Sequence, residues 1–125
     1  MHRLYLVVAL AALTASTLVI ASAASARPDS SAATAKVTVS MTEFRFRLSA
    51  SSFKAPATII FNVRNRGRDV HDFRITNVRP TKGTRILRPG QSQTLRVTLK
   101  KGNYSYVCTV GRHAADGMAG AFRVR

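Results

Sequence analysis

The chain is 125 residues long, with 20 lysines and arginines against five aspartates and glutamates, a formal net charge of +15 at pH 7, and a single cysteine. That length supports one small core and excludes a multidomain enzyme, and a lone cysteine excludes an internal disulfide framework. The charge favours anionic partners, whether an acidic protein, an anionic membrane surface or a nucleic acid.

The basic start, Met1 to Arg3, leads into an apolar run from Leu4 to about Ile20, which closes on the small residues Ala21 to Ala26. This three-part form predicts a secretory signal over residues 1–26, cut after Ala26 or alternatively after Ala23. Left uncut, the same run would serve as a membrane anchor. Export to the periplasm or the extracellular space makes nucleic acid the weakest of the anionic partners. The stretch "KGNYSYV" (101–107) follows an RNA-binding strand signature only as far as its first two aromatic positions. The sequon at Asn103 lies inside a predicted strand and is read as chance. Membrane contact is confined to an uncleaved leader or to surface charge.

Residues 27–35, "RPDSSAATA", are small, polar and without period, which predicts a flexible lead and places the folded domain over residues 36–125. From Lys36 onward short alternating runs follow one another: "KVTVS", "EFRFRLS", "ATIIFNVRN", "DVHDFRITNV", "TRIL", "QTLRVTLK", "NYSYVCTV" and "AFRVR". Turn residues separate them at 65–67, 81–83, 88–90 and 100–102. Such spacing predicts an all-β, Greek-key antiparallel β-sandwich of about seven or eight strands. A period of two puts Phe44, Phe46 and Leu48 on one face, and likewise Ile59, Phe61 and Val63, and Leu95, Val97 and Leu99. Arg45, Arg47, Arg96 and Thr98 take the opposite faces. Helical composition is limited to a short turn within "RHAADG" (112–117).

The scarce residues gather in "CTVGRHAADGM" (108–118), which holds the one cysteine, one of three histidines and one of three methionines. Once the leader is removed, His71 is the only other histidine. Cys108, His113 and Met118 follow one another at intervals of five in a glycine-containing loop between two predicted strands, while His71 must be brought near by the fold. A thiolate, two imidazoles and a thioether form a mixed soft and borderline donor set, which suits one copper ion in a trigonal arrangement with a long axial sulfur. The thiolate binds both oxidation states, the imidazoles stabilise Cu(II), and the thioether and an apolar shell favour Cu(I). Each residue taken alone has a plainer reading: Cys108 as a small buried hydrophobe, His71 as a hydrogen-bonded core or rim histidine, Met118 as core filler. Their combination and spacing carry the metal reading.

The same segment resembles the C-terminal ligand loop of the cupredoxins, the small blue copper proteins related to plastocyanin, azurin and amicyanin. The resemblance covers nearly the whole mature domain: "YSYVCTVGRHAADGMAGAFRV" is joined by "NVRNRGRDVHDFRI", similar to the family's first-histidine segment, and by "LRPGQSQTLRVTLKKGNYSYVC". It implies that His71, Cys108 and His113 are in-plane copper ligands and Met118 the axial one. Two positions depart from the family pattern. Gly111 and Arg112 stand where Pro and Gly often precede the second histidine, which loosens the loop and puts a cation beside the expected electron exit. Asp72 stands where Asn often follows the first histidine, either bonding near Thr109 to tie the ligand segments together or serving as an ordinary surface acid.

The leading expectation is therefore an exported, monomeric electron carrier with one type 1 copper ion, not an enzyme. Its redox partner, acidic at its docking surface, would meet the outer edge of His113 through Ala114, Ala115, Gly117 and Ala119. Arg112, with Arg66, Arg68 and Arg74 if they lie at that end, would steer it. The alternative on the same fold is a copper chaperone or storage protein, for which Met41 is the one further soft donor. A cysteine enzyme using Cys108, His113 and Asp72 or Asp116 leaves Met118 unexplained, and a metal-free interaction domain predicts a colourless free thiol.

Overall fold

The computed structural model describes residues 32–125. The predicted signal and most of the lead segment lie outside them. Nine strands follow in order: β1 (Ala33–Thr42), β2 (Arg45–Leu48), β3 (Ser52–Phe53), β4 (Ala57–Asn65), β5 (Arg74–Ile75), β6 (Lys82–Gly83), β7 (Ser92–Leu99), β8 (Gly102–Val107) and β9 (Ala119–Val124). They form two sheets, β2-β1-β4-β7 and β3-β9-β8-β5-β6.

Alternation decides which side of each strand is buried. In β1, Val37, Val39 and Met41 are fully buried, while Lys36 and Thr38 face solvent. In β4, Ile59, Phe61 and Val63 are fully buried and Asn62 and Arg64 exposed. The β4–β7 register sets Phe61 opposite Leu95 and Ile59 opposite Val97, so the apolar residues of neighbouring strands fall on one inner face. Against them lies the aromatic side of the second sheet. Phe73 packs on Phe61, Phe46 and Tyr106 at centroid distances of 5.2, 5.5 and 5.1 Å, and Phe61 also meets Phe122 at 5.5 Å.

The all-β sandwich is as expected, with differences of detail. Two pairings are parallel: β1 with β4, and β3 with β9, so the sheets are mixed. β1 reaches back to Ala33, and its pairing with Ala57–Ile59 begins ahead of Lys36. The expected turn at 81–83 is instead β6, an edge strand on β5, because Gly83 lets the backbone lie close over Phe73 and Arg74. The run "DVHDFRITNV" contributes only Arg74–Ile75 as a strand, with His71 held by an isolated bridge to Leu87. Phe44 is not on a core face. It sits in the turn between β1 and β2 and is 37% exposed.

Tyr106 gives this core a pH signature. Burial pushes its phenol above the ordinary tyrosine value of 10.0, so the folded chain holds that proton more tightly than the unfolded chain. Its contribution is complete below the unfolded value and is lost as pH rises past it. Tyr106→Phe should therefore leave stability at pH 7 nearly unchanged and flatten the fall in denaturation midpoint above about pH 10, as measured by urea unfolding across an alkaline series.

Candidate metal centre

The ladder between β8 and β9 delivers two of the four candidate residues. Tyr104 and Tyr106 point inward along β8, and the period of two carries Cys108 to the same face just beyond the strand end. Tyr106 pairs with Gly120. Continuing that register places Cys108 opposite Met118, and the Cys108 N–H donates to the Met118 carbonyl at 3.1 Å. Both side chains are buried, with 1% and 0% exposure.

The loop between them is closed on itself. The His113 N–H donates to the Val110 carbonyl at 3.0 Å, and the Met118 N–H to the His113 carbonyl at 2.9 Å. Gly111 adopts φ +46°, a left-handed value closed to proline, whose ring holds φ near about −65°. The departure from the family's Pro-Gly pattern thus has a backbone reason. From Gly111 to Gly117 the backbone runs as consecutive turns.

His71 arrives from the other half of the chain. Its backbone exchanges two hydrogen bonds with Leu87, N–H to carbonyl at 3.1 Å and carbonyl from N–H at 2.7 Å. Buried Asn65 secures the segment before it, donating to the carbonyls of Asp69 (2.7 Å) and Leu87 (2.8 Å) and accepting from the Gly67 N–H at 2.8 Å.

The next residue joins the halves. Asp72 is fully buried and accepts from the Thr109 N–H at 2.6 Å and the Thr109 hydroxyl at 2.5 Å. Of the two readings of Asp72, the tie between ligand segments is the one observed. The Arg74 guanidinium, 3.3 Å from the same carboxylate, is engaged there as well.

These constraints converge on one point. The Nδ1 atoms of His71 and His113 stand 3.2 Å apart, and the Cys108 Sγ lies 3.9 and 3.6 Å from them. The ligand atoms of the three residues all fall within 4.8 Å of one another. A metal bound at about 2.3 Å to sulfur and about 2.0 Å to nitrogen in a trigonal plane would set its sulfur and nitrogens about 3.8 Å apart, and its nitrogens about 3.5 Å apart. The observed separations agree within a few tenths of an ångström, so the residues fit such an ion. Burial pushes the Cys108 thiol above its ordinary value. The metal-free protein therefore keeps that proton at neutral pH and gives it up when a metal binds.

Exposure differs sharply between the two histidines. His71 is fully buried, while the His113 side chain keeps 12% of its surface. Ala114, Ala115, Gly117 and Ala119, which follow it in the chain, are exposed. Two neighbours were not foreseen. Phe44 packs edge-on to the His113 ring at 4.8 Å, and Glu43 accepts from the His71 Nε2–H at 3.1 Å. The available signal was that Glu43 is the only acid between residues 36 and 68.

Comparison with known families supplies a match to the cupredoxin-like domain over residues 8–119. The chain belongs to the cupredoxin-like family. A solved structure of the copper protein rusticyanin resembles this cupredoxin with a TM-score of 0.64 and 23% identity, covering 76% of this chain and 80% of that one. Rusticyanin from Thiobacillus ferrooxidans gives 0.65 and 21%, over 76% and 79%. Reduced auracyanin from the photosynthetic bacterium Roseiflexus castenholzii gives 0.56 and 21%, over 75% and 98%. At these identities the likeness establishes the fold. Comparison with the curated proteins by sequence yields no match. The cofactor that the family and this donor set call for is a single type 1 copper ion.

Because Asp72 ties the two ligand segments at Thr109, beyond the end of the β5–β8 ladder, its loss is testable. Asp72→Ala should destabilise the metal-free cupredoxin by about 1.5–3 kcal/mol, the net worth of hydrogen bonds to a charged group. Asp72→Asn, whose amide can still accept from the Thr109 N–H, should retain most of that stability in denaturant unfolding.

Proposed function

We propose that this cupredoxin is an exported blue copper protein that carries single electrons between redox partners. In this reading His71, Cys108, His113 and Met118 would hold the ion, the thiolate and imidazoles as strong donors and the thioether as a weak one. The observation that carries it is the convergence of three donor atoms from residues that are buried except for the edge of His113. When bound, copper supplies a one-electron couple.

The residues account for the rest. His71 and Cys108 are held by β-bridge, ladder and Asp72 bonds that do not depend on a metal, so the donor geometry is built by the fold and changes little with charge state. Water has no broad access to it, which suits electron exchange and not substrate binding; the reading is accordingly of a carrier and not an enzyme. The exposed edge of His113, flanked by Phe44, Ala114 and Ala115, is the exit, a small apolar contact surface with a polar atom at its centre. The signal over residues 1–26, the lead over 27–35 and a domain over 36–125 complete the proposal, with a periplasmic or extracellular location.

A partner acidic at its docking surface fits the exposed Arg66, Arg68 and Arg112. Arg66 and Arg68 lie in the segment bonded to Met41 and Glu43, and Arg112 adjoins His113. The chaperone alternative finds less support, since Met41 is a fully buried core residue and not an accessible soft donor.

Adding Cu(II) to the mature metal-free protein should give intense visible thiolate-to-copper absorption, absent in Cys108→Ala and reversible through reduction and reoxidation. A colourless adduct would contradict the proposal. Electron exchange with an acidic partner should slow as ionic strength rises from about 0.01 to 0.15 M, where the screening length falls from about 30 to 8 Å. A rate indifferent to salt removes the steering role.

A further inference from the structure

The turn between β1 and β2 touches both histidines, and it treats them differently. Glu43 meets the Nε2 of His71 at 3.1 Å. Phe44, the next residue, offers only its ring to His113. The Nε2 of His113 is 3.9 Å from the exposed Asp69 carboxylate, beyond hydrogen-bond reach. One ring is thus held by a charged hydrogen bond and the other by packing.

We propose that Glu43 is a positioning residue that fixes His71 with its Nδ1 lone pair toward the metal and, through its charge, favours the oxidised over the reduced centre. The inference rests on the copper reading above and deepens it. An ionised carboxylate can only accept, so the Nε2 of His71 must carry the proton. A neutral imidazole has one proton to place, which leaves Nδ1 bare. That is the atom facing Cys108 and His113.

A carboxylate on the outer N–H makes an imidazole a stronger donor, and a negative charge beside a fully buried ring favours the more positive metal. Both effects stabilise Cu(II). Glu43 offers that charge at short range, its Oε1 lying 3.1 Å from the Nε2 of His71.

The carboxylate is also locked in place. Its Oε1 accepts from the backbone N–H groups of Arg68 (2.7 Å) and Asp69 (2.8 Å) as well as from His71. Gly67 makes this approach possible, because a Cβ there would overlap the Glu43 carboxylate. Glu43 and Gly67 therefore form one device reaching His71 from a strand turn that holds no ligand.

The test is the reduction potential of the copper-loaded protein and of Glu43→Gln, which removes the charge and keeps the shape. We expect the Cu(I)/Cu(II) ratio at a fixed mediator potential to rise about tenfold, equivalent to about 59 mV for one electron. A rise of threefold or more supports the proposal, and a smaller or opposite change overturns it. Gly67→Ala provides an independent variant: it keeps the charge but displaces the carboxylate, and should move the ratio in the same direction. No movement there counts against the proposal.

Nitrogen NMR of the metal-free wild type adds a readout independent of copper. His71 should be protonated at Nε2 alone, and a ring protonated at Nδ1 overturns the assignment. If the wild type takes up Cu(II) without thiolate absorption, the copper reading falls, and the tautomer still judges the role of Glu43.

Discussion

Asp72 accepts two hydrogen bonds from Thr109 across 37 positions of sequence, and the arrangement of the donors depends on that bridge. His71 immediately precedes the acid and Cys108 immediately precedes the threonine. A clamp one residue away from each donor extends the β5–β8 ladder, in which Arg74 pairs with Val107, up to the donors themselves. Removing a carboxylate from water is costly unless its oxygens are paired. Here both are, by a backbone amide, a hydroxyl and the Arg74 guanidinium. The aromatic cluster below completes the support, since Phe73 and Tyr106 flank the same two donors in sequence and pack against each other at 5.1 Å.

The charges of the domain are distributed in a way the net figure hides. Glu43, Asp69, Asp72 and Asp116 are the only acids among the described residues, and all belong to segments at the metal-binding end. Two of them are occupied, Glu43 with His71 and Asp72 with Thr109. Elsewhere the charged residues of the outer faces are all cations, as on β1, β2, β4 and β7 with Lys36, Arg45, Arg47, Arg64 and Arg96. The strong basicity is thus a property of the body of the sandwich. Near His113, by contrast, the exposed arginines Arg66, Arg68 and Arg112 share the chain segments with the exposed carboxylates Asp69 and Asp116.

Much of this was legible in the sequence because strands write their burial as a period of two. Ile59, Phe61 and Val63 fell where the alternation put them, and the cluster of scarce donors marked the site. Phe44 was misplaced for an instructive reason: it continues the alternation of Phe46 and Leu48, but the chain is already turning, and its ring covers His113 instead of the core. The parallel pairing of β1 with β4 left no local signal, since parallel partners are joined by no hairpin. Glu43 was overlooked because its partners, Arg68 to His71, lie 25 to 28 positions away. A hydrogen bond of that span is decided by the whole fold and has no periodic trace.

The loop from Cys108 to Met118 is a ring closed by backbone bonds at its base and across its middle. Its two ends leave on adjacent strands of an uninterrupted ladder, Val107 opposite Ala119. Such a segment hangs from the ladder as one unit, its path set by the bonds made within it and at its two ends. The sandwich acts as a socket with a fixed His71, and the identity of the loop sets what is presented to the outside.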